Sequence, residues 1–385
     1  MIFQPQLVSL DTATWGQLTS DRSPNEKRIF TVLNSGAIIP FFTETHFTEL
    51  FQHGSDKVVE TRLQMLRQLK FVSYLRDHDG SEVGGLLDLR EKEMAILRDN
   101  PKLPAEQIVA KIKPQIINGF STGAELCAKN EEHWKLFRVI GRDLTARSAE
   151  AVSLAQFPLP GTNLRQRIPI NSNGLKKQTK EEMIRYFAER YEWLVNKLET
   201  DGDQRMLNLK PREQIASEFL KECYEDMLPL LDKKGDFLDN LLTQCGVNRS
   251  HLPKNPTIED VTYEVTFQSH FKIHERRLGL PEGSLKQFVQ QPHVPSWIVW
   301  REIDRVSKYL KKAEGSSFND KMMLPFALYV DAFETDKRVY DCAIRAKNSH
   351  PLMNTVHLRV FKRGNLGMLA EKLEFMAREN PSKTN

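Results

Sequence analysis

Cysteine is scarce in this chain: Cys127, Cys223, Cys245 and Cys342 are the only four in 385 residues, and they form no CxxC pair. That excludes a disulfide framework and a zinc knuckle, and leaves reduced thiols in or near a core as the expectation. Long apolar runs are also missing. No stretch approaches the roughly 20 residues of a membrane span, the mean hydropathy is -0.49, and 28% of residues are charged. The opening MIFQPQLVSLDTATW lacks the basic, apolar, small-residue order of a secretory signal and is broken by Pro5 and Asp11. A soluble, cytoplasmic chain with no membrane partner is expected. No GxxxxGK[ST], GxGxxG or GxSxG pattern occurs, so neither a phosphate-cradling loop nor a nucleophile elbow is indicated. His270 and His274 have the spacing of a helical metal pair, but HFKIHE lacks the glutamate of HExxH, which favours polar-face or core histidines.

What is present is enough apolar material, 40% of residues, for a sizeable core. The net charge is only +4, yet residues 337–385 carry ten Lys or Arg against four acids, +6 in that segment alone. Such asymmetry suits a polyanionic partner, and a solvated basic face gives the same count.

Strand and helix patterns alternate at both ends. LVSLD, residues 7–11, and AIIPFF, residues 37–42, have the length and composition of buried strands. Between them lies a helix with Pro24 in its first turn, ended near Gly36. A short helix capped by Thr43 or Thr45 follows, with Phe47, Leu50 and Phe51 inward and Glu49, His46 and His53 on the other side. A helix over residues 56–70 then leads to a third strand candidate, FVSYLR. From about residue 86 to 290 long amphipathic stretches dominate, interrupted by a loop-like basic segment with Arg165, Arg167, Lys176 and Lys177. After Pro292 and Pro295 the α/β pattern returns. It comprises a helix over 297–312, a helix starting near Asp320 and interrupted at Pro325, a strand at AFET, a last strand at HLRVF (357–361) and a terminal helix. Alternation of this kind predicts an α/β fold with a parallel sheet. Residues 1–85 and 291–385 would build it, with 86–290 as a helical insertion.

In an open parallel sheet, ligands bind beyond the carboxyl ends of the strands, where Asp11 and Asp336 fall. Asp11, Glu49, Asp320 and Asp336, gathered at one rim, would suit a hard cation such as Mg2+ or Mn2+, which prefers a few carboxylates plus water. Such a cation relieves the mutual repulsion of the carboxylates. Asp331, Thr335 and Thr12 are candidate supporting residues, and Glu44 competes with Glu49. Each acid also has a local explanation: Asp11 can cap the turn it opens, and Asp320 its helix. Lys337 and Arg338, directly after Asp336, could hold a phosphate, and Arg301 and Arg305 could line a nucleic-acid groove or simply face solvent.

LVSLD, IIPFFTETHFTEL and FNDKMMLPFALYVDAFETDKR together resemble the ordered motifs of PIN-domain nucleases. In that family the first acid ends strand one, the second lies on a helix after strand two, the third opens a late helix and the fourth follows strand four. Asp11, Glu49, Asp320 and Asp336 correspond in order and setting. The resemblance covers roughly residues 5–76 and 295–365, and the long helical middle departs from compact family members. It implies a PIN-like sheet domain and a Mg2+- or Mn2+-dependent endoribonuclease cutting RNA, with single-stranded DNA as a second substrate. A toxin or antiviral effector is the implied setting, with an inhibitor or regulatory protein bound through the insertion. The alternatives are a PIN-like scaffold that binds RNA or protein without cleaving, and a haloacid-dehalogenase-like phosphohydrolase. LVSLDTAT resembles the first motif of the latter, but Ala13 stands where its second aspartate is required.

Overall fold

The structure, a computed structural model, describes residues 5–20, 23–131 except 54, 81 and 118–119, Trp134, 180–201, 210–231, 258–307 and 316–379, with scattered positions between 240 and 252. The chain packs as two compact units: residues 1–143, 292–310 and 316–385 form one, and residues 144–291 with 311–315 the other. The sheet-bearing unit therefore reaches to residue 143 rather than to 85, and the helices at 86–117 belong to it.

That unit contains one five-stranded, wholly parallel sheet of order β3-β2-β1-β4-β5. Its strands are β1 (Gln6–Ser9), β2 (Ile38–Phe42), β3 (Ser73–Tyr74), β4 (Ala332–Thr335) and β5 (Val360–Lys362). The helices between and after them are α1 (Thr12–Ser20), α2 (Pro24–Leu33), α3 (Glu44–Phe51), α4 (Asp56–Arg67), α5 (Leu86–Asp99) and α6 (Ala105–Ile117). All five residues of β2 are buried, as are three of four in β1 and all four in β4, the last including the polar Glu334 and Thr335. Val8 pairs with Pro40 on one side and Ala332 on the other, so β1 lies in the middle of the sheet. The strand order reverses between β1 and β4.

The second unit is helical where described, with α7 (Lys180–Asp201), α8 (Arg212–Leu231) and α9 (Ile258–Arg277). Leu194 and Leu198 of α7 pack with Ile215, Ala216 and Leu220 of α8. On α9 the His270 and His274 rings meet edge-on with centroids 6.4 Å apart, and His274 is fully buried, a core placement. The basic stretch with Arg165, Arg167, Lys176 and Lys177 lies outside the described residues.

Returning to the first unit, α10 (Pro295–Ser307), α11 (Ser316–Met323), α12 (Lys337–Ala346), α13 (Pro351–Arg359) and α14 (Leu366–Glu379) complete the fold. The structure departs from the sequence reading at several points. A helix, α1, follows Asp11 at once. Its weak helix formers are held by the burial of Trp15 and Leu18, the former with its ring centroid 5.0 Å from that of Phe42. The strand expected over 357–361 is β5, 360–362, because His350 caps α13 by accepting from Leu352 N–H. Pro351 starts that helix, which runs on to Arg359. Asp320 sits inside α11 rather than opening it, and a 3-10 turn over 324–328 takes up Pro325. The face expected to be outward on α3 is also revised, since His46 is fully buried.

Of the cysteines, Cys127 and Cys342 are free thiols and buried. Among the described residues no helix is long and apolar enough to cross a membrane.

Asp331 belongs to the fold rather than to the rim. Before β4, its Oδ2 accepts from Leu7 N–H at 2.9 Å and its Oδ1 from Lys113 Nζ at 2.7 Å, while its own N–H donates to Leu7 O at 2.8 Å. This ties the amino ends of β1 and β4 together, opposite the end where β1 leads to Asp11. Asp331→Ala should therefore destabilise the chain by about 1.5–3 kcal/mol in urea unfolding, the range for hydrogen bonds to a charged group. Unchanged stability would contradict this assignment.

Candidate metal-binding rim

The sheet order creates the site. β1 and β4 are neighbours whose connections leave in opposite directions, which opens a crevice beyond their carboxyl ends. Asp11 stands two residues beyond β1 and Asp336 one residue beyond β4. Glu49, on the helix after β2, and Asp320, on α11, join them. All four are partly exposed. Their proximity shows in their electrostatics: burial pushes the Asp320 carboxyl up to about 8, and the negative charges of Glu49, Asp336 and Asp11 push it the same way, with the Arg363 guanidinium opposing. Glu49 is likewise raised by burial and by Asp11, while hydrogen bonds from Thr12 and Asn319 hold it back. Acids more than 300 residues apart in sequence thus act on one another.

Each carboxylate has its own tether. Asp11 Oδ1 accepts from Ala13 N–H at 2.8 Å and from Arg363 Nη1 at 3.0 Å. Glu49 Oε1 accepts from Asn319 Nδ2 at 2.8 Å. Asp336 is the N-cap of α12, accepting from Val339 N–H at 2.7 Å. Capping therefore explains part of Asp336's presence, and it fixes the side chain at the rim.

Two functional candidates have no counterpart in the sequence analysis. Arg363, just past β5, donates its backbone N–H to Thr335 O at 2.8 Å and brings its guanidinium to Asp11. Glu334, 2% exposed inside β4, accepts from Asp11 N–H at 3.1 Å; burial, then the Asp11 charge, drives it up to about 7. Carboxyl-end logic extended to β5 finds Arg363, and an acid within the buried strand AFET was the signal for Glu334.

The other candidates are dispersed. Thr12 bonds to Glu49, and Thr335 contributes through its backbone carbonyl. Lys337 is exposed in the first turn of α12. Arg338 is half-buried, and its charge acts on Lys321 and Cys342. Arg301 and Arg305 pair with Glu302 at 3.0 and 3.3 Å. Glu44 packs beside Gly85, 2.6 Å from where a Cβ there would stand, with its N–H on Gly84 O.

The chemistry of the donor set fits a hard divalent cation: four carboxylate side chains, one of them raised by burial and then by the charges of the others. Among the described residues, however, no three His, Cys, Asp or Glu side chains are gathered closely enough to share an ion. Asp11, Glu49 and Asp336 each accept a hydrogen bond from another donor. Comparison of the chain with protein-family models, curated proteins and solved structures gave no match.

The raised Asp320 carboxyl has a consequence for stability. The folded chain keeps a proton that the unfolded chain releases from about pH 4, the ordinary range of an aspartate. The contribution is thus fully present below that pH and is lost as pH rises through about 8. In EDTA, Asp320→Asn should raise Tm at pH 8 by a few degrees and leave it nearly unchanged at pH 4. Thermal scans at both pH values that show equal shifts, or a lower Tm at pH 8, would contradict this.

Proposed function

We propose that this chain is a metal-dependent endonuclease acting on RNA, built on a PIN-like sheet. The observation that carries the proposal is the meeting of Asp11, Glu49, Asp320 and Asp336 at the crevice between β1 and β4, where burial first, and then the charges of the other three acids, raise the Asp320 carboxyl to about 8. A site whose charges repel this strongly is costly without a cation, and the cost is understandable if the site exists to bind one.

Asp11, Glu49, Asp320 and Asp336 would hold Mg2+ or Mn2+, which when bound supplies Lewis-acid activation of water and neutralisation of charge developing on the phosphate. Thr12 and Asn319 orient Glu49. Arg363, a forked and permanently charged donor, can move from Asp11 to a non-bridging phosphate oxygen once Asp11 is otherwise neutralised. No serine, cysteine or histidine nucleophile is needed. RNA as the substrate class rests on the resemblance to PIN nucleases and on the basic C-terminal segment.

A scaffold that binds without cleaving is the second reading, favoured by one observation: the absence of a preformed three-ligand group among the described residues. The two separate experimentally. Asp11→Asn and Asp336→Asn should each lower Mg2+- or Mn2+-dependent cleavage of total RNA by more than the roughly 100-fold that loss of an outer-shell partner costs, with folding intact. Asn also serves as an N-cap, so the second variant preserves α12. Full activity in either variant, or no metal-dependent cleavage of RNA or single-stranded DNA by the wild type, would overturn the nuclease.

A further inference from the structure

His46 takes no part in the chemistry proposed above, yet it lies on the helix that carries Glu49, bonds to the residue before Asp11, and meets Thr43, which contacts the helix of Asp320. Its ring is fully buried, edge-on to Phe42 with centroids 5.6 Å apart. Nδ1 accepts from Thr43 N–H at 3.0 Å and lies 3.0 Å from Thr43 Oγ1; that hydroxyl in turn donates to Met323 Sδ at 3.0 Å. With Nδ1 engaged as an acceptor, the proton belongs on Nε2, which points at Leu10 O at 3.0 Å and stands 3.4 Å from Ser9 Oγ. Burial takes the imidazole down to about 4, so it is neutral at physiological pH.

The contacts are specific in what they join. Leu10 immediately precedes Asp11, Thr43 caps the helix that carries Glu49, and Met323 lies one turn after Asp320 on α11. The Leu10–Asp11 peptide is also gripped at its other polar group, since Asp11 N–H donates to Glu334. Beyond Ser9 the β1 ladder has ended, and without these side chains that peptide would have no partner in the sheet.

We infer that His46 is a positioning residue that fixes Asp11 and Glu49 relative to one another by joining Leu10 O to the Thr43 N–H across its ring, with Thr43 in turn tied to α11, which carries Asp320, through its hydroxyl bond to Met323. The consequence for metal binding rests on the function proposed above; the positioning itself does not.

Two substitutions dissect the ring on the full-length protein, because Asn places its amide near Nδ1 and Gln near Nε2. His46→Asn should lose the bond to Leu10 O. Amide hydrogen exchange should then accelerate in the segment around residues 8–18 and stay unchanged in α14, and Mn2+ affinity, read by electron paramagnetic resonance titration, should fall about 10-fold or more. His46→Gln, which can still donate to Leu10 O, should recover most of both. Unchanged exchange and affinity in His46→Asn would reduce His46 to core packing. Accelerated exchange with wild-type Mn2+ binding that is insensitive to Asp11→Asn would leave the positioning role standing and remove the metal site. If His46→Asn fails to fold, the wild type decides by 15N resonances of labelled histidine: protonated Nε2 and bare Nδ1 are required, and the opposite tautomer overturns the inference.

Discussion

One peptide unit governs the rim. The Leu10–Asp11 peptide emerges from the central strand after its ladder has stopped, and two buried side chains hold it: His46 on the carbonyl and Glu334 on the amide. An unpartnered buried peptide group would cost about as much as a lost hydrogen bond. Asp11 follows directly; it accepts from Arg363, and its charge adds to those of Glu49 and Asp336 in raising the Asp320 carboxyl. The sheet contributes the crevice through its order, and these contacts give the crevice a defined floor.

Above that floor the molecule is arranged against its own stability. Asp320, Glu49 and Glu334 all hold their protons more tightly than exposed carboxyls do, in each case chiefly through burial. The positive charge of Arg363 opposes the rise at both Asp320 and Glu334. Elsewhere the same unit manages charge conservatively. Asp331 is paired with Lys113, and Arg90 lies fully buried over Trp297 at 4.9 Å with Glu93 on the same helix accepting from Ser296 and Tyr329. Burial raises Glu93 to about 7 as well, but there the Arg90 charge opposes the rise, whereas at the rim the charges of Glu49, Asp336 and Asp11 add to it.

The sheet and its acids were largely legible in the sequence, because buried parallel strands are short apolar runs and an acid just after such a run lands at the carboxyl rim. LVSLD and AFETD show this directly. α1 was not legible, since TATWGQLTS has poor intrinsic helix propensity and is held by tertiary burial of Trp15. The start of β5 was misplaced because the pattern of HLRVF hides the end of a helix set about two turns earlier by His350 and Pro351. His46 carries no periodicity signal that separates a core histidine from a surface one. Arg363 and Glu334 depended on a register that only the pairing of β4 with β5 supplies.

The most direct test of the central claim is anomalous diffraction from crystals of the protein grown with saturating Mn2+. The account predicts an anomalous peak in the crevice between β1 and β4, bounded by Asp11, Glu49, Asp320 and Asp336. Well-ordered carboxylates with no peak between them, or Mn2+ bound only elsewhere, would contradict it.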